Sequence, residues 1–178
     1  GSGIDTLDFS GAGAGVSGDL SARTATGAAT GTDTVTSFEA VIGSAHADSL
    51  KGDKNANTLS GGSGDDVLRG LGGADILFGG EGADTFAWGA VKDVIDSGVH
   101  LGVDHIGDFV VGEDRLDVRG LVAGQSWASI EDVVHVTDGA EGSTVSVRIG
   151  GTFQAVAVLD GVHGQTATDM LAHGMLLA

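Results

Sequence analysis

The chain has 178 residues, 33 of them glycine, with no proline and no cysteine, and its 25 acidic residues against 8 basic ones leave a net charge of −17. Glycine does not recur at every third position, which excludes collagen, and 41% hydrophobic residues in a regular pattern exclude simple disorder. So acidic a chain repels nucleic acid and anionic lipid, no apolar run approaches the ~20 residues that span a bilayer, and no disulfide can form.

The negative charge reads either as a solvated surface or as oxygen ligands awaiting hard cations. The chain starts Gly-Ser-Gly without Met and shows no N-terminal signal peptide. It therefore reads as a segment of a longer protein, with Gly1 and Ser2 as cloning residues.

Residues 1–42 read as irregular coils of a repeat stack. GSGIDTL carries Asp5 and Leu7 like the end of one repeat, and TVTSFEAVI (34–42) carries Glu39 and Val41. From residue 43 the pattern is regular. GSAHADSLK, GDKNANTLS, GGSGDDVLR, GLGGADILF and GGEGADTFA run without a gap to residue 87, five lines of nine residues. Place six reads Asp48, Asn57, Asp66, Asp75, Asp84, and place eight reads Leu50, Leu59, Leu68, Leu77, Phe86. WGAVKDVID (88–96) keeps the period with Asp93 and Ile95.

After about residue 95 glycine thins and β-branched residues alternate. DHIGDFVVGEDRLDV (104–118) predicts short strands around an acidic turn. SVRIGGTFQAVAVL (146–159) predicts a hairpin turning at Gly150-Gly151. SWASIEDVV (126–134) has helical spacing with Ser126 as N-cap, and TATDMLAHG (166–174) predicts a short helix capped by Thr166 or Thr168 and stopped by Gly174. Trp88 and Trp127 read as core. This third segment, 95–178, is expected to be a non-repetitive, β-rich cap.

One apolar residue in nine cannot build an ordinary core. Each line reads as a turn of six residues and a strand of three that turns place eight inward. Two lines make one coil, so same-side neighbours lie 18 residues apart. Asp48, Asp66 and Asp84 then share one side, and Glu39, Asn57, Asp75 and Asp93 the other. Carboxylates stacked at sheet spacing repel unless a cation lies between them. Glycine lets the backbone aim carbonyl oxygens inward. Carboxylates with carbonyls make a calcium site; magnesium favours a tighter octahedron with retained water, and zinc favours His or Cys.

GGSGDDVLR resembles the G-G-x-G-x-D-x-U-x nonapeptide of repeats-in-toxin (RTX) proteins. The resemblance implies an all-β chain: a parallel β-roll over residues 43–94, then a small β-rich C-terminal cap with one or two short helices. It implies calcium sites between turns 18 residues apart. The carbonyls of places two and four and the place-six side chain come from one turn, and places one, three and six from the next.

Carried onto this chain, one site uses Gly62, Gly64 and Asp66 with Gly79, Glu81 and Asp84. A second uses Ser44, His46 and Asp48 with Gly61, Ser63 and Asp66. A third uses Asp53, Asn55 and Asn57 with Gly70, Gly72 and Asp75, where the neutral Asn57 is expected to weaken binding. A fourth joins Leu71, Gly73 and Asp75 to Trp88, Ala90 and Asp93. About three to five calcium ions follow from this family pattern.

GADTFAWGAVKDVIDS, DHIGDFVVGEDRLDVRGL, LDGV and DMLAHGMLLA are similar to the C-terminal target domains of type I secretion substrates, found after such repeats in large bacterial adhesins and some exoenzymes. That similarity implies an uncleaved C-terminal signal, a membrane exporter as partner, and secretion or display on a bacterial surface. The fragment itself is expected to be monomeric, without a nucleic-acid partner.

Other readings remain beside this one. The repeats could be a metal-free solenoid, although buried unpaired carboxylates are costly. Asp104, Asp108, Glu113, Asp114 and Asp117 read either as a solvated turn or as another calcium site. His46, His100, His105, His135, His163 and His173 form no H-E-x-x-H, and no G-x-S-x-G appears, so the chain is not expected to be an enzyme. A calcium-stabilised adhesion module, or the accessory domain of a secreted enzyme, stands as the alternative. Two Trp and no Tyr speak against a sugar-stacking face.

Overall fold

The structure is a computed structural model that describes residues 3–27 and 31–178. Gly1, Ser2 and residues 28–30, including the two residues attributed to cloning, lie outside the described residues.

The strands in chain order are β1 (Thr6–Asp8), β2 (Val16–Asp19), β3 (Thr24–Gly27), β4 (Gly31–Thr34), β5 (Ala40–Ile42), β6 (Ser49–Lys51), β7 (Thr58–Ser63), β8 (Val67–Arg69), β9 (Ile76–Glu81) and β10 (Thr85–Ala87). After them come β11 (Ile95–Asp96), β12 (Val99–His100), β13 (Asp104–Ile106), β14 (Arg115–Asp117), β15 (Val134–Asp138), β16 (Gly142–Ile149), β17 (Thr152–Asp160) and β18 (Leu176–Leu177). Two short helices, α1 (Arg119–Val122) and α2 (Ala167–Ala172), complete the described elements. This is an all-β chain built on a parallel β-roll.

Successive repeat strands alternate between two sheets. One sheet runs β1-β5-β7-β9-β13-β17-β16-β15, and the other runs β18-β14-β10-β8-β6-β2-β3-β4. The registers explain why a single apolar residue per line is enough. Leu7, Val41, Leu59, Leu77, Ile106 and Leu159 stand opposite one another in one sheet. Gly18, Leu50, Leu68, Phe86, Leu116 and Leu176 do so in the other. The place-eight side chains of all five repeats are at most 1% exposed. Each leucine is thus sealed by its neighbours in the column rather than by its own line, and each contributes roughly 1.5–3 kcal/mol of burial. Glycine at every turn frees the chain to reverse direction after only three strand residues.

The strands from β13 onward join the same two sheets, β13, β17, β16 and β15 on one and β14 and β18 on the other, while β11 and β12 pair only with each other. The 146–159 hairpin is present as β16–β17, with Gly150 and Gly151 left-handed at φ 59° and 90°. Thr166 caps α2 by accepting the Asp169 N–H at 3.0 Å, and Gly174 follows it at φ 72°. Segment 104–118 differs from a simple hairpin: its strands enter opposite sheets in parallel.

Two expectations fail. Residues 126–134 form only a 3₁₀ turn, Ile130–Asp132, capped by Ser129 rather than Ser126, because Val133 and Val134 continue into strand β15. Trp127 is 37% exposed, whereas Trp88 is 3% exposed and belongs to the core. Upstream, in the segment expected to be irregular coils of the stack, β1 and β2 pair in parallel with β5 and β6, and β3 and β4 extend from β2 as an antiparallel meander.

Candidate metal centre

The place-six side chains form two continuous ladders along the turns. On one side Asp48 Oδ1 accepts the Val16 N–H at 2.6 Å, Asp66 Oδ1 the Asp48 N–H at 2.7 Å, and Asp84 Oδ1 the Asp66 N–H at 2.9 Å. On the other, Asp75 Oδ1 accepts the Asn57 N–H at 2.7 Å. Asp66, Asp75 and Asp84 therefore each spend one oxygen on the turn 18 residues before, and Asp48 spends one on Val16, 32 residues before.

The second oxygen divides the turns into two kinds. Asp66 Oδ2, Asp75 Oδ2 and Asp84 Oδ2 are buried and accept nothing. Asp48 Oδ2 instead accepts the Ser44 N–H, and Asn57 Oδ1 accepts the Asp53 N–H at 2.8 Å. The backbone at place two sets the difference. Gly62, Leu71 and Gly80 are left-handed there, at φ 112°, 73° and 102°, whereas Ser44 and Asp53 are not among the left-handed residues. A left-handed place two turns its own N–H away from the carboxylate. The three left-handed turns are the three that hold an unpartnered carboxylate oxygen.

Place-six oxygens lie against the place-one glycine of their own turn. A Cβ built at Gly61 would strike Asp66 Oδ2 and the Gly79 carbonyl oxygen, and one at Gly43 would strike Asp48 Oδ2 and the Gly61 carbonyl oxygen. One at Gly52 would strike Asn57 Oδ1 and the Gly70 carbonyl oxygen. Place-one carbonyls of the following turn thus approach the place-six group, as a shared cation requires.

The turns that carry the residues of the first two assigned sets stack on each other, with Gly64 N–H on the Glu81 carbonyl at 2.7 Å and Ser63 N–H on the Ser44 carbonyl at 3.2 Å. Gly64 also packs on the backbone of His46. The turns of the third set stack through Gly72 N–H on the Asp53 carbonyl at 3.0 Å, with Gly73 against Asn55.

The turns of the fourth set do not. Asp93 does not follow Asp75; it closes a 3₁₀ turn by accepting the Ala90 N–H at 2.9 Å, and Trp88 packs in the core. Asp104 takes the place, accepting the Asp75 N–H at 3.1 Å, with Gly102 against the Gly73 carbonyl. On the other ladder Asp114 Oδ1 accepts the Asp84 N–H at 2.9 Å.

These two partners had a legible signal. VHLGVDHIG (99–107) and FVVGEDRLD (109–117) each keep Gly at place four, Asp at six and an apolar residue at eight. They are hidden because residues 88–98 are inserted before the first and Asp108 before the second. The offsets become 29 and 30 residues instead of 18.

Electrostatics follow from burial. Asp66 is pushed up to about 7, first by burial and then by the charges of Asp48, Asp84 and Asp65. Burial likewise pushes Asp75 and Asp84 up to about 6. Asp104 rises to about 8, through burial and the charge of Asp75. Groups in this state gain from a divalent cation. Among the described residues no three His, Asp or Glu side chains converge on one point. The donors at hand are therefore paired carboxylates and carbonyl oxygens, a hard-cation set that fits calcium.

Stacked turns, inward carbonyls and unpartnered carboxylate oxygens define a calcium-binding β-roll. Residues 42–69 and 51–86 match the family model described as the RTX calcium-binding nonapeptide repeat, in four copies. The repeat section of this chain belongs to that family and is calcium-binding.

Among solved structures, the solution structure of the AlgE6R3 subunit from the Azotobacter vinelandii mannuronan C5-epimerase is 26% identical, over 65% of this chain and 71% of that one, with a TM-score of 0.40. The AlgE6R2 subunit of the same epimerase is 22% identical, over 98% and 92%, with a TM-score of 0.47. No curated protein matches the chain.

Proposed function

We propose that the chain is a calcium-driven folding and export module of a bacterial protein secreted by a type I system. The observation that carries this reading is the set of buried, unpartnered oxygens on Asp66, Asp75 and Asp84. Without a cation these carboxylates oppose folding, since burying a charge without a partner is costly. With calcium, binding energy becomes folding energy.

Cytosolic calcium is scarce, so the repeats stay unfolded there and can thread an exporter C-terminus first. Outside, calcium reaches the roughly 10⁻⁴ to 10⁻³ M range in which extracellular modules bind. The chain folds there and cannot slide back. The direction of travel, the exporter and the secreted or surface location rest on the resemblance of the 95–178 segment to secretion target domains. Among the described residues no helix is long and apolar enough to cross a membrane. In this reading the module is non-catalytic, whatever the rest of its parent protein does.

The experiment is a calcium titration of the chelated chain, followed by far-UV circular dichroism and Trp fluorescence, with magnesium as control. A cooperative gain of β signal near 10⁻⁴ to 10⁻³ M calcium, absent with magnesium, supports the switch. A chelated chain already folded and indifferent to calcium refutes it. Truncation before Gly164 and a secretion assay then test export.

A further inference from the structure

Asp84 closes the last matched repeat, yet its ladder continues. We propose that a further divalent-cation site lies between the Gly79–Asp84 turn and the Asp108–Asp114 turn, beyond the recognisable nonapeptides. The proposal rests on the calcium reading of the repeats.

Asp84 is 0% exposed. Its Oδ1 holds the Asp66 N–H, and its Oδ2 has no partner. In the preceding turn the matching oxygen, Asp66 Oδ2, sits against Gly61 and shares that cradle with the place-one carbonyl of Gly79. Asp84 Oδ2 likewise sits against the place-one glycine of its own turn, Gly79, and the turn stacked onward on the Asp84 amide is the one that carries Asp114. That turn is FVVGEDRLD, residues 109–117. It supplies Asp114, whose Oδ1 lies 2.9 Å from the Asp84 amide, and Gly112 at place four, left-handed at φ 89°.

The inserted residue ties the two turns together. Asp108 accepts the Gly79 N–H at 2.9 Å and the Gly80 N–H at 3.0 Å. Its charge bears on both Asp84 and Asp114. Among the described residues none of the three is in an ion pair. The oxygens at hand are Asp84 Oδ2, Asp114 Oδ1 beside the Asp84 amide, and by position in the repeat the carbonyls of Gly80 and Gly82. The set suits calcium, which accepts many oxygens in flexible geometry.

The column stops there. Asp114 Oδ2 is closed by the Val110 N–H at 2.7 Å, and on the other ladder Asp104 Oδ2 by the Trp88 indole N–H at 3.0 Å. Protein donors stand where the preceding turns leave an oxygen free.

The test is isothermal titration of calcium chloride into the chelator-stripped chain, comparing the unmodified chain with Asp66→Asn and Asp114→Asn. Asp114→Asn is expected to lose one calcium equivalent, or to weaken one by tenfold or more, while keeping the equivalents that Asp66→Asn removes. An Asp114→Asn chain that binds every equivalent at unchanged affinity overturns the proposal and leaves the calcium reading intact. An unmodified chain that binds no calcium overturns both. If Asp114→Asn does not fold, hydrogen exchange of the Gly80 and Gly82 amides in the unmodified chain decides. Protection gained with a calcium equivalent that Asp66→Asn retains supports the site, and protection indifferent to calcium overturns it.

Discussion

Leu71 and Asp75 form one unit: Leu71 is left-handed at φ 73°, and Asp75 Oδ2, four residues on, is buried without a donor. A leucine in that conformation is strained, since its Cβ crowds the following carbonyl oxygen at a cost of ~1–2 kcal/mol. The roll tolerates it where glycine serves in Gly62 and Gly80. An ordinary place-two conformation would point the amide at the carboxylate, as Ser44 does toward Asp48.

Ser44→Gly tests this relationship directly. Releasing the Ser44 amide and hydroxyl from Asp48 should open a cradle that they now close. One calcium equivalent is expected to be gained, or one to tighten about tenfold, in a calorimetric titration. Conversely, Gly62→Ala should weaken binding, because a Cβ there collides with the Ser44 carbonyl oxygen and the φ is unsuited to alanine. The stability loss in saturating calcium should exceed ~1 kcal/mol by denaturant unfolding.

Leu68→Ala should cost ~2–5 kcal/mol, the usual range for a buried leucine. Leu68 is 0% exposed and pairs with Leu50 and Phe86, so the cavity has neighbours on both sides and cannot collapse onto solvent. Urea unfolding in saturating calcium measures it. A loss below ~1 kcal/mol would contradict the column as the source of cohesion.

The pH dependence has opposite signs with and without calcium. Asp66 at about 7 and Asp75 and Asp84 at about 6 lie above the ordinary 3.8. The calcium-free fold therefore binds more protons than the unfolded chain between about pH 4 and 7. Its stability should fall as pH rises through that window and be greatest below it. In calcium the ion takes the proton's place, so affinity should drop as pH falls from about 7 toward 5. Thermal unfolding at several pH values, in chelator and in calcium, should give slopes of opposite sign.

Trp88→Phe removes the indole N–H that Asp104 Oδ2 accepts at 3.0 Å between two residues each 3% exposed. A buried acceptor left bare costs ~1–3 kcal/mol. Burial and the charge of Asp75 raise Asp104 to about 8, so the loss should grow as pH passes that value and the carboxylate ionises. Chemical unfolding of both chains at pH 6 and pH 9 should show the larger difference at pH 9.

The sequence by itself determined the roll. Glycine at fixed places, aspartate at place six and one apolar residue at place eight imply both the turn chemistry and the inward column, because a strand of three residues has only one side chain to bury. It also placed the hairpin at Gly150-Gly151 and offered Thr166 or Thr168 as the cap, of which the structure uses Thr166. Only the tertiary structure decided which carboxylates stack at the downstream end. The inserted segment 88–98 forms a 3₁₀ turn and the first strand of the β11–β12 ribbon, so Asp104 stacks on Asp75 where period alone put Asp93, and Asp114 stacks on Asp84. It also decided which turns keep an oxygen free, since that depends on the backbone angle at place two. Glycine permits the left-handed angle at that place, and the folded chain imposes it on Leu71 as well.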